Sequence, residues 1–551
     1  MIGIKKQVLL NKRTIYLCLL LIILINLLLR YPIIPHQQGA DGFMNVALTK
    51  YIIQDGYSNW QLSIFSSFGL SSFSYPVSIQ FIFASLSQLG GISIELSVLI
   101  FGFVLGITSI FVGYVAVKEF TKDSRLGLLG AFLFSTMPIF LQMTKWSGSS
   151  RPLLMIFLLL TIILLQRVAY AKKTEQESQY SEIKYTFLTI LFLIIMWTVH
   201  RMAIFAIFIL ISYMFSRPIL KIYKLMKIKI GLSKWHRFSW LSYIFYISWV
   251  TILALFIIAQ IIDVGILGSF DYWTRYQHGF LFSGSSPFII LLNMVIDYWS
   301  AWGILSIFML FGSIYLFVNR HKHFKFFFFI FSLLLITPLA TLGLYTELIL
   351  ILFLIPIVVI GFAYFIKTRF LVKYVTSVTI VLLIVSCAFS GFMSEHWFSQ
   401  EEGLTEQEYD IALYSNELMT KNDVFVSNSN VFGNKIISFS DVKFLTEKFP
   451  YPLIYRWVTK DVVSSNLDWE TMLKDRTIEV KYPEELVIVN DHRFILLHDV
   501  DASSFVRSIY GVNYVIEGAR TTFIYAINES LYETRYITFG NGVGRIWYLG
   551  V

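Results

Sequence analysis

The segment His36-Gln37-Gln38-Gly39-Ala40-Asp41-Gly42-Phe43 sets one carboxylate among glycines, just ahead of an amphipathic stretch from Phe43 to Ile53. Glycine lets a backbone approach a ligand closely, and the N–H groups opening a helix suit an anion. Asp41 therefore sits where a ligand could approach the backbone; capping of the following helix is the alternative role. Asp55, just past that stretch, is a second acid of the same loop. A second polar island, Lys145-Trp146-Ser147-Gly148-Ser149-Ser150-Arg151-Pro152, carries two cations, three hydroxyls and an aromatic ring. It suits a phosphate, which a guanidinium can hold with two parallel hydrogen bonds; lipid headgroups would satisfy the same cations. His200-Arg201 lies between two short apolar runs that must form a tight hairpin, so the pair either faces a central cavity or ends helices. Tyr272, Trp273 and Arg275 mix aromatic and polar groups, as both sugar-binding faces and interfacial belts do. Glu347 is placed to ligate a divalent cation or orient a hydroxyl.

The elements that must position these residues are membrane helices. Of 551 residues, 56% are hydrophobic and 14% charged, with a mean hydropathy of +0.67. Soluble domains carry about 25% charge, so an ordinary soluble enzyme and a disordered chain are both excluded. A spanning helix needs about 20 apolar residues. Eleven such segments are expected, at 15–30, 92–117, 126–142, 151–169, 185–199, 201–216, 239–262, 299–318, 325–341, 346–366 and 373–393. The run 77–90 is too short and is expected as a helix lying at the membrane surface. No small-residue cleavage site follows the first segment, which reads as an uncleaved span.

Charge sets the orientation. Residues 1–393 hold 30 Lys and Arg against 12 Asp and Glu, whereas residues 394–551 hold 14 against 23. The net charge of +9 is thus no sign of nucleic acid: a basic membrane region is joined to an acidic soluble one. With the N-terminus inside, 24 of those 30 basic residues fall on cytoplasmic segments, as basic residues prefer. The expected architecture is a polytopic α-helical membrane protein of about eleven spans over residues 1–393, with a long first outer loop (31–76). A C-terminal extracytoplasmic α/β domain follows over 394–551. Its strands are expected at 423–427, 485–489, 493–497 and 513–516, its helices at 405–420 and 499–507, and Asn528-Glu529-Ser530 fits a glycosylation sequon.

In order and placement the chain resembles the GT-C membrane glycosyltransferases, a group that includes oligosaccharyltransferase catalytic subunits, protein O-mannosyltransferases and aminoarabinose transferases. The likeness lies in one span followed by a long outer loop with an early acid (Gly39-Ala40-Asp41-Gly42), then Tyr75-Pro76 opening a helix toward Leu89-Gly90-Gly91. It continues through the basic turn Val117-Lys118-Glu119-Phe120 and the small-residue span Leu126-Gly127-Leu128-Leu129-Gly130-Ala131 with Pro138 near its end. The resemblance implies sugar transfer, with inversion, from a polyprenyl- or dolichyl-phosphate carrier to an extracytoplasmic protein, lipid or glycan. Asp41 would serve as base or metal ligand, with Asp55 as the reserve base and Mg or Mn as possible metals. Lys145, Arg151, His200 and Arg201 would face the donor phosphate, and Trp146, Tyr272, Trp273, Arg275 and Glu347 the substrates. Metal-dependent members carry further acids in the second outer segment; residues 143–152 have none, which favours direct neutralisation of phosphate by cations. Two other classes fit a polytopic chain: a transporter or flippase of lipid-linked saccharides, and a receptor whose outer domain binds a ligand. No internal repeat of the transporter kind is visible, and eleven spans exceed what an anchor needs.

Overall fold

The structure is a computed structural model. It describes residues 11–56, 77–171, 177–229, 303, 305, 308–319, 324–336, 344–366, 375–396, 403–420, 423–427, 430–444, 512–518, 536–540 and 544–548. The expected span 239–262, Tyr272, Trp273, Arg275, the Tyr75-Pro76 pair, the elements at 485–507 and the sequon at 528–530 lie outside the described residues.

The chain forms two compact units. One comprises Met1–Arg30, Val104–Gln142 and Ser150–Ser394; the other comprises Tyr31–Phe103, Met143–Ser149 and Glu395–Val551. In chain order the helices are α1 (Lys12–Arg30), α2 (Ala40–Asp55), α3 (Ser78–Gly90), α4 (Ile94–Thr121), α5 (Ser124–Thr136), α6 (Pro138–Thr144), α7 (Arg151–Ala171) and α8 (Glu177–Val199). A 3₁₀ turn (Arg201–Ile204) leads into α9 (Phe205–Lys229). Then come α10 (Met309–Asn319), α11 (Phe324–Ile336), α12 (Leu344–Ile366), α13 (Val375–His396), α14 (Glu406–Leu418) and α15 (Asn430–Phe439). Helix occupies at least part of every expected span within the described residues. Among those residues six helices are long and apolar enough to cross a membrane, or seven if α5 and α6 count as one. The chain is a polytopic helical membrane protein.

The first unit is held by small residues and by one buried cation. Gly113 of α4 and Gly130 of α5 face each other so closely that a Cβ on Gly113 would lie 2.8 Å from the Gly130 carbonyl oxygen. Gly312 of α10 and Gly361 of α12 likewise leave no room for a Cβ against the carbonyls of Ile357 and Phe308. Such small residues let membrane helices approach at backbone distance. The expected span 126–142 is not one rod but two helices bent by 55°. Its cause is Pro138, which has no N–H to give and cannot continue α5. The Arg30 guanidinium, 1% exposed, takes over a freed carbonyl there: Nη2 donates to the Ser135 oxygen at 2.9 Å, Nη1 donates to Asn26 Oδ1, and the group lies over the Phe140 ring.

The second unit is built around a five-stranded sheet of order β2-β1-β3-β5-β4, with β1 (Val424–Ser427), β2 (Lys443–Phe444), β3 (Val512–Gly518), β4 (Tyr536–Gly540) and β5 (Gly544–Tyr548). β1 runs parallel to β2 and β3, whereas β3–β5 and β5–β4 are antiparallel. The expected strands at 423–427 and 513–516 are β1 and part of β3, and the expected helix at 405–420 is α14. The expected amphipathic helix of the first outer loop is α2, and its apolar stripe of Met44, Ala47, Leu48 and Tyr51 follows the i, i+3, i+4, i+7 spacing of one helix face. That stripe packs into the same core as Ile411, Phe425, Phe432 and Ile516, so the first outer loop folds with the C-terminal residues. Lys50 on α2 adds an ion pair to Asp441 (3.0 Å) and a hydrogen bond to the Ser440 carbonyl (2.7 Å). α3 buries Ile79, Gln80, Phe83 and Ala84. At 1.5 Å per residue its thirteen residues reach about 20 Å, short of the roughly 30 Å of a hydrocarbon core.

A buried ion pair closes this core. Lys435 Nζ lies 3.0 Å from both Glu408 oxygens and donates to the Gly403 carbonyl at 2.8 Å, with both side chains almost fully enclosed. Glu408 also completes a capping box with Thr405. Removing one partner of a buried pair leaves an uncompensated charge, at a cost of about 3–5 kcal/mol. Lys435→Met should therefore lower the thermal unfolding temperature of the purified protein markedly. The double variant with Glu408→Gln, which keeps the capping box, should recover most of the loss. A single variant that melts with the wild type would show that the pair contributes nothing.

Candidate functional site

The two polar islands at 36–43 and 143–149 meet within the second unit, and glycine is what allows it. A Cβ on Gly42 would overlap the Ser147 carbonyl oxygen, and one on Gly39, where φ is +92°, would stand 3.3 Å from Ser147 Cβ. Gly102 of α4 gives the same close passage to the Thr144 carbonyl. The glycines flanking Asp41 thus admit the neighbouring loop rather than leave open space.

Hydrogen bonds fix the register of this seam. The Gln38 N–H donates to the Trp146 carbonyl (3.0 Å) and Gln38 Nε2 to the Lys145 carbonyl (2.5 Å). Asn45 Nδ2 donates to the Gly148 carbonyl (2.9 Å) and is itself held by Gln80 Nε2, which donates to Asn45 Oδ1 (2.7 Å). Trp146 has a positive φ of +56°, a conformation that is strained for a bulky residue. It is clamped by its own indole, whose Nε1 donates to the Glu95 carbonyl at 3.0 Å. The Glu95 carboxylate accepts the Gln37 N–H (2.8 Å) and stands 3.3 Å from His36 Nδ1, while His36 stacks on Tyr409 of α14. The backbone pairing of Gln38 with Gly403 continues the seam.

Asp41 lies in the first turn of α2, partly exposed. The N-cap is Gly39, with no side-chain capping bond, so the capping role that the sequence allowed is not what Asp41 does. Its carboxylate instead benefits from the positive end of the helix dipole.

No protein-family profile matches this chain, and no curated protein matches it by sequence. Solved structures do. The oligosaccharyltransferase AglB from Archaeoglobus fulgidus, in complex with an inhibitory peptide and a dolichol-phosphate, superposes with a TM-score of 0.59 at 11% identity, covering 92% of this chain and 69% of that one. The apo form of the A. fulgidus enzyme gives 0.60 at 12% identity, over 92% and 70%. ArnT from Cupriavidus metallidurans in the apo state gives 0.50 at 10% identity over 98% of both chains. At such identities the likeness is one of fold. The chain has the GT-C fold.

Within the GT-C fold the other predicted residues take distinct places. Asp55 is the last residue of α2, followed by Gly56 at φ +79°. Fourteen residues at 1.5 Å each put it about 21 Å along the axis from Asp41, so the two acids cannot attend one reacting group. Lys145 and Trp146 are both buried in the seam. Arg151 opens α7, in the first unit. His200, also there, caps the 3₁₀ turn, its Nδ1 accepting the Met202 N–H at 3.1 Å, which is the helix-ending role the hairpin allowed. Arg201 begins that turn and Glu347 lies in the first turn of α12. Sequence reasoning passed over Asn45 and Gln80 as organisers; the signal available was that Gln80 falls between apolar Ile79 and Phe81.

Gly42→Ala tests the seam directly. The new methyl must push Ser147 away, an overpacking cost of about 1–3 kcal/mol, and amide hydrogen exchange across residues 144–149 should speed up while α15 stays protected. Unchanged exchange in that loop would show that Gly42 does not hold it.

Proposed function

We propose that this chain is a membrane glycosyltransferase that moves a sugar from a polyprenyl- or dolichyl-phosphate carrier to an acceptor on the outer side of the membrane, with Asp41 as general base. The observation that carries the reading is the seam of Asp41's helix against the 144–148 loop, in a chain with the GT-C fold. AglB, which shares the fold, is described with a dolichol-phosphate bound.

In this reading an acceptor hydroxyl attacks the anomeric carbon from the face opposite the phosphate, inverting it. Asp41 takes the hydroxyl proton as the new C–O bond forms. The anomeric carbon–oxygen bond to phosphate breaks, and its electron pair leaves on the phosphate, whose growing charge Lys145 offsets, joined in the proposal by Arg151, His200 and Arg201. Trp146, Glu347 and the Tyr272, Trp273 and Arg275 region would contact the sugar or acceptor. A lipid carrier explains why reacting groups sit in a chain dominated by membrane helices: the bond to be broken lies at headgroup level.

The proposal keeps the acidic C-terminal residues and the first outer loop outside the cytoplasm, with the N-terminus inside, on the distribution of basic residues. A divalent cation fits less well. Among the described residues no three His, Cys, Asp or Glu side chains gather as a cation site requires.

The test uses the full-length protein in nanodiscs, reading release of undecaprenyl phosphate from undecaprenyl-phosphate-linked hexose and pentose donors. Asp41→Asn should lower turnover by about 10²–10⁴-fold, the range of a lost general base. Asp55→Asn, at the far end of α2, should stay within about threefold of wild type. Normal turnover by Asp41→Asn, with Asp55→Asn inactive, would transfer the base to the other end of the helix.

A further inference from the structure

The peptide planes of residues 145–149 point to an anion site made of main chain. A trans peptide is planar, with its C=O and N–H on opposite sides. The carbonyls of Lys145 and Trp146 turn to Gln38, that of Ser147 to Gly42 and that of Gly148 to Asn45. Four successive carbonyls thus face α2 and the residues just before it. The N–H of Trp146 is folded back onto the Thr144 carbonyl at 3.1 Å, and the planar trans peptides turn those of Ser147 and Gly148 away from α2.

The backbone also alternates in hand: φ is +56° at Trp146 and +60° at Gly148, and negative at Lys145, Ser147 and Ser149. Alternation of this kind curls successive N–H groups into a concave nest that holds an anion. A second observation is independent of that curvature. Ser147 and Gly148 are buried, yet among the described residues no acceptor pairs with the N–H of either. Buried N–H groups are paired in nearly all native proteins, so an oxyanion is what completes these two. Lys145, on the same loop and 6% exposed, supplies positive charge.

We propose that the Lys145–Ser149 loop is an oxyanion nest in which the main-chain N–H groups of Ser147 and Gly148 bind the phosphate of a lipid-linked donor. This rests on the glycosyl-transfer reading and deepens it. While the sugar is attached, the phosphate is a diester with one negative charge. As the anomeric C–O bond breaks, the electron pair stays on the phosphate oxygen and the group becomes a monoester bearing a second charge. Fixed N–H dipoles aimed at that oxygen favour the transition state over the bound donor.

Equilibrium binding by the full-length protein in nanodiscs tests the nest without needing turnover, with undecaprenyl phosphate, undecaprenol and inorganic phosphate as probes. Undecaprenyl phosphate should bind at least tenfold more tightly than undecaprenol. Gly148→Ala, whose methyl would stand 3.0 Å from Gly42 Cα at a φ unsuited to alanine, should lose about tenfold for the phosphate lipid. Glycolate in place of Gly148 removes the N–H without adding an atom, so it carries the test if Gly148→Ala fails to fold. Inorganic phosphate that competes, with the same dependence on position 148, marks the phosphate head alone as the ligand; a dependence seen only for the lipid marks the lipid-borne phosphate. Wild-type affinity in the glycolate protein, or equal binding of undecaprenol, overturns the nest. A protein that binds through the nest but transfers no sugar overturns the glycosyl-transfer reading alone.

Discussion

Main-chain carbonyls that leave a helix in a buried setting must find donors, and that requirement organises this molecule. Between the end of α6 and the start of α7 the chain has no helical partners to offer, yet Lys145, Ser147 and Ser149 are nearly sealed from solvent. Helix α2 and the residues before it supply the solution. Gly39 and Gly42 give room, while Gln38 and Asn45 give donors. Because α2 uses its opposite stripe, Met44, Ala47, Leu48 and Tyr51, to enter the sheet unit's core, the donors cannot move without disturbing that core. Asp41 inherits its position from both faces at once.

The first unit solves the same problem with a charged side chain. Pro138 breaks the α5–α6 segment and frees carbonyls at the end of α5; Arg30 reaches Ser135 across from α1, with Asn26 tying the Arg30 guanidinium and the Ser135 hydroxyl together. Gly106 makes the space, since a Cβ there would lie 2.5 Å from Arg30 Nε. Arg30 closes the first expected span, and its partners Ser135 and Phe140 lie more than a hundred residues away, where no local pattern could name them.

That contrast sets out what the sequence made legible. Helical spans are local: an unbroken apolar run answers to the thickness of a bilayer, and α1, α4, α7 and α12 follow. The helix α2 and the strands β1 and β3 are local too: the first in the i, i+3, i+4, i+7 spacing of Met44, Ala47, Leu48 and Tyr51, the strands in short β-branched and aromatic runs. The Asp41 and Lys145 islands could be picked out by residue type, because polar groups are rare in such a chain. Their meeting could not. It depends on Gly42 lying against Ser147, a pairing of residues about a hundred positions apart, with the glycines giving room to a loop rather than to a ligand. The capping role offered for Asp41 failed for a related reason: α2 begins earlier than Phe43, at Ala40, which moves the cap to Gly39.

Trp146 shows why the seam is rigid rather than merely close. A positive φ on a non-glycine residue costs of order 1–3 kcal/mol and survives only where the surroundings over-determine it. Here its carbonyl is held by Gln38 and its indole by the Glu95 carbonyl. The Glu95 carboxylate returns to the same strand through the Gln37 N–H and His36. The loop is therefore tied at main chain and side chain to two consecutive residues, Gln37 and Gln38, that stand just ahead of Asp41. Under the proposed mechanism the base and the N–H dipoles are fixed by one clamp and need no reorganisation when charge moves between them, and electrostatic stabilisation of a transition state is strongest where dipoles are already oriented. On that proposal the strain at Trp146 is the local cost of holding both in place before a substrate arrives.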